Sequence, residues 1–149
     1  MTLRTKLRVV SVVILAVIVL DQITKAIVRH FKPNFPVLPS VLSITFTKNT
    51  GAAFGLFQGS GTLLLYIALI VLGLGIYNYD KLLATKEYWC YALMAGGIIG
   101  NLIDRIFLGY VVDFIDFAYW PAFNVADSAI TLGVACSIVY WLRTAKSIS

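Results

Sequence analysis

Four apolar runs, each long enough to cross a bilayer as a helix, constrain this chain more than any other feature: residues 9–28, 62–79, 88–107 and 123–142. A hydrocarbon core of about 30 Å takes roughly 20 apolar residues at a rise of about 1.5 Å each. The four runs take up 78 of the 149 residues. A composition 60% hydrophobic and 13% charged, with a mean hydropathy of +0.88, rules out a water-soluble core. The expected fold is one all-α integral membrane domain over 1–149 with four transmembrane helices. The first run resembles a secretory leader in having basic residues before it. It leads into Asp21-Gln22-Ile23-Thr24-Lys25 rather than a small-residue cleavage site, and so reads as a retained helix.

The net charge of +5 follows from topology, not from a nucleic-acid partner, and none is expected. Seven basic residues (Arg4, Lys6, Arg8, Lys81, Lys86, Arg143, Lys146) flank one side of the four runs, against Arg29, Lys32 and Lys48 on the other. The positive-inside rule then makes both termini cytoplasmic, with outer loops at 29–61 and 108–122. In the first of these, Pro33, Pro36 and Pro39 give an extended start. Residues 41–48 alternate in the manner of a strand, so a small sheet on the membrane surface is expected. Gly51, Gly55, Gly59 and Gly61 return the chain to the bilayer. Cys90 and Cys136 lie inside apolar runs and His30 is the single histidine, which leaves no disulfide or metal-ligand pattern.

Polar residues inside the runs are the functional candidates, because an ionisable side chain there costs at least ~2.5–3.5 kcal/mol. The first run carries Asp21 and Lys25, the third Asn101, Asp104 and Arg105, and the fourth Asn124 and Asp127. With the first and third running outward and the fourth inward, all of them fall within ~10 Å of the outer ends, in one layer. Asp113 reaches that layer from the second outer loop.

Asp21 and Lys25, at i and i+4, read first as a structural ion pair, with Lys25 able to snorkel outward. Asn101 and Arg105 suit either a tie between helices or contact with a substrate. Gly96 and Gly100 suit close helix packing. Asp104 is adjacent to Arg105 and Asp116 belongs to a solvated loop, so both are set aside. Asp113 and Asp127 have no basic residue at i±3 or i±4. Two such carboxylates in a partly dry site share a proton, one serving as base towards water and the other as acid towards a carbonyl, as in an aspartic protease. A serine or cysteine nucleophile lacks a base, since His30 stands next to basic residues with no such partner in view. A small proton-coupled transporter also fits the composition, although inverted repeats and midplane charges are not visible.

The blocks Asp21-Gln22-Ile23-Thr24-Lys25, Asn49-Thr50-Gly51-Ala52-Ala53-Phe54-Gly55, Gly96-Gly97-Ile98-Ile99-Gly100-Asn101-Leu102-Ile103-Asp104-Arg105, Val111-Val112-Asp113-Phe114-Ile115-Asp116 and Phe123-Asn124-Val125-Ala126-Asp127 follow one another along the chain. Through them it resembles the lipoprotein, or type II, signal peptidases over nearly its whole length. The resemblance implies an intramembrane aspartic endopeptidase of the bacterial inner membrane. It would remove the signal peptide from diacylglyceryl-modified prolipoproteins, cleaving before the lipidated cysteine. It implies four membrane helices, an extracytoplasmic β-cradle in the first outer loop, and no metal or organic cofactor. Asp113 and Asp127 would be the catalytic pair. Asp21, Lys25, Asn49, Gly51, Asn101, Arg105, Asn124 and Ala126 would surround it, and the stretch from Asn49 to Gly55 would cover the peptide. The expected partners are the lipidated substrate and membrane lipid, with the chain a monomer.

Overall fold

The computed structural model describes residues 1–51 and 61–146. Its elements are α1 (Leu3–Phe31), β1 (Asn34–Leu38), β2 (Leu42–Asn49), α2 (Gly61–Tyr77), α3 (Tyr79–Ala84), α4 (Tyr88–Leu108), β3 (Val111–Phe117) and α5 (Val125–Lys146). By length and composition α1, α4 and the Val125–Thr144 part of α5 can each cross a membrane. The apolar α2 is shorter, at 17 residues. The expected glycine return and peptide cover fall largely on residues 52–60, outside the described residues.

The helix ends follow from local chemistry. Thr2 caps α1, its side chain accepting from the Thr5 N–H. At the other end Lys32 takes the left-handed conformation (φ 45°) and donates its N–H to the Val28 carbonyl, with Pro33 next to prevent continuation. Gly109 (φ 76°) closes α4 in the same way onto Arg105, turning the chain abruptly into β3.

Helix α4 is the hub, packed on α1 and α5. Glycines set the spacing. A Cβ on Gly96 would lie 2.9 Å from the Val17 Cβ, and one on Gly100 would lie 2.6 Å from Asp21 Oδ2. One on Gly97 would strike the Ala126 carbonyl. The packing role expected of Gly96 and Gly100 is therefore borne out, and Gly97 and Gly133 extend it to α5. Helix α2 stands apart, touching only α4 and α3 among the described elements and burying no residue.

The sheet is antiparallel in the order β1-β2-β3. Its composition corrects the expectation of a sheet within the first loop. β3 comes from the second loop, after α4, and pairs Thr47 with Asp113. The proline-bearing start also contains a strand, because Pro36 lies on the edge strand β1, where a missing N–H is tolerated. Residues 80–87 hold most of the short helix α3 instead of a plain loop. Val28, Val112 and Phe114 form the small core that joins the sheet to α1.

Candidate active site

Asn124 stands at the N-cap of α5. Its Oδ1 accepts the Asp127 N–H at 2.9 Å, and Asp127 Oδ2 accepts the Asn124 N–H at 3.2 Å. This reciprocal capping box rigidifies the first turn of α5 and fixes the Asp127 side chain. The preceding residue ties that turn to β3, since the Phe123 carbonyl accepts the N–H groups of Phe114 and Ile115, and the Phe123 N–H returns to Ile115. Strand β3 and helix α5 thereby bring Asp113 and Asp127 to one place.

Each of the four carboxylate oxygens receives an N–H. Asp113 Oδ1 accepts from Asn124 Nδ2 (2.7 Å) and its Oδ2 from Asn49 Nδ2 (2.8 Å). Asp127 Oδ1 accepts from Asn101 Nδ2 (2.7 Å), and its Oδ2 is the capping-box acceptor. Neither aspartate has a cation within 4 Å among the described residues. Asp113 is 1% exposed, and its carboxyl is pushed up to about 7 from 3.8. Burial is the main cause and the neighbouring charge of Asp127 the second, opposed by the Asn49 and Asn124 hydrogen bonds.

Behind the pair lies a second polar shell. Lys25 Nζ reaches Asp21 Oδ2 (2.8 Å), Asp104 Oδ2 (3.2 Å) and Asn101 Oδ1 (2.8 Å). Because lysine only donates, it holds the oxygen of the Asn101 amide and leaves the nitrogen for Asp127. Asp21 Oδ1 accepts the Ala126 N–H at 2.9 Å, satisfying an otherwise open donor in the first turn of α5. The expected Asp21–Lys25 pair is present, but Lys25 is 2% exposed and does not snorkel. With two carboxylates to pair, it is more favourably placed inside than at an interface.

All ten expected residues join one continuous network. Gly51 enters through its N–H to Asn49 Oδ1 (2.9 Å), and its carbonyl meets Arg105 Nη2 at 3.5 Å. Two further members escaped the sequence reading. Asp104 pairs with Lys25 and accepts the Val112 N–H, and Gln22 Nε2 spans Asp21, Asp104 and the Gly100 carbonyl. Neighbours in a helix sequence do not face one another, so the proximity of Arg105 was no reason to regard Asp104 as neutralised. Gln22, beside Asp21 in a run of apolar residues, was a signal of the same kind. Asp116 stays out of the network and meets Thr45 Oγ1 at 3.5 Å.

A cavity of about 800 Å³ opens between α2, α4 and α5. Its walls are apolar, with Ile67, Val71, Ile98 and Ile130 among them, and Asn49, Asn101, Arg105 and Asp127 face into it. Asp113 adjoins it through Asn49. Trp120 and Phe123 border the same space, while Tyr119 is fully exposed.

The profile of the signal peptidase (SPase) II family matches residues 13–143. The lipoprotein signal peptidase of Halothermothrix orenii is 40% identical over 141 residues, covering 92% of this chain and 97% of that protein. That of Syntrophomonas wolfei is 45% identical over 136 residues, 89% of this chain and 91% of the relative. Among solved structures, a bacterial membrane enzyme determined by the in meso method at 2.3 Å resolution is similar with a TM-score of 0.86 and 33% identity. The match covers 94% of this chain and 91% of that one.

Proposed function

The chain belongs to the signal peptidase II family, and from that premise we propose that it is an aspartic endopeptidase in which Asp113 and Asp127 hydrolyse the bond before the diacylglyceryl-modified cysteine of a prolipoprotein. Membership of a protease family of the bacterial inner membrane displaces the transporter alternative. One observation carries the mechanism: two carboxylates, with no cation paired to them among the described residues, are held by four N–H donors beside a cavity that reaches between apolar helices.

Asp113, which keeps its proton up to about pH 7, is the acid of the pair, and Asp127 is the base facing the cavity. Asp127 takes a proton from a water whose oxygen attacks the peptide carbonyl, while Asp113 gives its proton to the carbonyl oxygen. On collapse the C–N bond breaks, Asp127 returns its proton to the leaving amine, and Asp113 recovers one from the intermediate. Arg105 and Asn49 hold the substrate backbone, and the acyl chains remain among the apolar walls.

In the membrane α2 serves as the fourth span. Its 17 residues cover about 25 Å, at the short end of what a span requires. Both termini are cytoplasmic on the charge count, which sets the sheet and the aspartates at the outer leaflet. One chain holds the whole network, so a monomer suffices.

The test is mass spectrometry of a diacylglyceryl-modified precursor peptide and its unlipidated twin, incubated with the purified protein in detergent. Cleavage before the modified cysteine is expected for the first, and a much slower reaction for the second. Equal rates would remove lipid recognition from the proposal, and turnover by both Asp113→Asn and Asp127→Asn would remove the aspartic mechanism. An alkaline phosphatase fused after Ser149 should be inactive, and an active fusion would reverse the topology.

A further inference from the structure

We propose that Asp104, outside the residues assigned above, is a positioning residue for Asp113, holding the strand from which that carboxyl is presented. The inference rests on the aspartic reading just given and extends it to a buried residue on α4.

Strand β3 has a strand partner, β2, on one side only. On the other side the Phe123 backbone bridges Ile115, and at Val112, the residue before Asp113, side chains stand in for a strand. The Val112 N–H donates to Asp104 Oδ2 at 3.0 Å, and its carbonyl accepts from Asn124 Nδ2 at 3.3 Å. Asp104 is itself immobilised. It is 2% exposed, with Lys25 Nζ 3.2 Å from the same oxygen and Gln22 Nε2 3.1 Å from the other. All three of its partners are donors, so only a carboxylate satisfies them together, and an amide would turn its NH2 group towards at least one of them.

The position of Asp104 on α4 gives this clamp its consequence. Asn101, three residues earlier and on the same face, holds Asp127. A single rigid helix therefore carries the support of both carboxyls, Asn101 for one and Asp104 for the strand of the other, with Lys25 touching both supports. One helical turn of α4 thus joins Asn124 and Asn49 in fixing the separation of the pair. Reacting groups displaced by about 1 Å lose on the order of 100-fold in rate, so this spacing matters to turnover more than to substrate affinity.

The experiment compares the full-length wild type with Asp104→Asn, Asp104→Glu, Gly133→Ala and Asp113→Asn in detergent, measuring kcat, KM, the pH profile of kcat and thermal unfolding. Gly133→Ala is the stability control. Its Cβ would lie 2.7 Å from the Cys90 carbonyl, in the contact between α4 and α5 away from the aspartates, so it should lower the melting temperature and leave the pH profile unchanged. Asp104→Asn is expected to lower kcat about 10- to 100-fold with KM changed less than about threefold, and to displace the pH profile. Asp104→Glu, which keeps the charge for Lys25, should recover part of the loss. If the asparagine variant does not fold, reduced kcat and a displaced profile in the glutamate variant carry the same conclusion. Wild-type kcat and profile in a folded Asp104 variant would overturn the proposal, as would a loss that follows melting temperature alone as in Gly133→Ala. Turnover by Asp113→Asn would instead overturn the aspartic reading; an inert Asp113→Asn beside wild-type Asp104 variants would overturn the positioning role only.

Discussion

Replacing Asp113 with asparagine should remove the proton carrier of the proposed mechanism and also an electrostatic cost, and the second effect can be measured whether or not the variant turns over. The folded carboxyl titrates near 7 and an unperturbed one near 3.8. Between these values the folded state binds more protons than the unfolded chain, so wild-type stability falls as pH rises from about 4 to about 7 and then levels. A separation of about three pH units amounts to at most about 4 kcal/mol at 1.36 kcal/mol per unit. Asparagine does not titrate and loses this slope. In exchange its NH2 group faces the Nδ2 donor of Asn49 or of Asn124, a mismatch worth about 1–3 kcal/mol at every pH. The two stability curves should therefore cross, with the variant weaker near pH 4 and stronger near pH 8. Thermal unfolding in detergent followed by near-ultraviolet circular dichroism reads the crossing directly. Parallel pH dependence in the two proteins would refute both the raised Asp113 value and the acid role built on it.

Lys25→Ala should destabilise the fold by about 3–5 kcal/mol, because it leaves Asp21 and Asp104 buried without their shared cation; an unchanged melting temperature would contradict this. Gly97→Ala should cost about 1–3 kcal/mol, since its Cβ falls on the Ala126 carbonyl. Gly75→Ala in α2, where nothing lies within 4 Å, should be neutral or stabilising in the same melting assay. Arg105→Ala should raise KM about 10-fold or more while changing kcat and melting temperature little, because its hydrogen bond among the described residues is a long contact to Gly51 and its head group faces the cavity; steady-state kinetics on the lipidated peptide decides it.

The helices were legible because burial in lipid demands long apolar runs, and the polar layer because so few polar residues interrupt them. β3 was not. Val111, Val112, Asp113 and Phe114 are all buried, so the alternation that marks a half-exposed strand is absent, and the run is too short to distinguish from the end of a helix. β1 was hidden by Pro33 and Pro36, which signal a loop unless the strand is known to lie at an edge. The proximity of Asp113 and Asp127 could be anticipated from their common level. Their neutral partners could not, since Asn49 and Asn101 meet them across distant parts of the chain and hydrogen bonding leaves no local pattern. Asp104 shows the same limit, its cation lying on another helix.

The first turn of α5 supplies Asn124, the Ala126 N–H and Asp127 together, and this arrangement determines when the molecule becomes able to react. A ribosome makes α1, the sheet strands β1 and β2, and α4 before that turn exists. Until then Asp113 lacks one of its two donors, one oxygen of Asp21 has no helix to hold, and the second carboxyl has not been made. If the proposed aspartic pair is the catalyst, a nascent or truncated chain is inert however well its earlier helices insert, and hydrolytic competence arrives with the last helix.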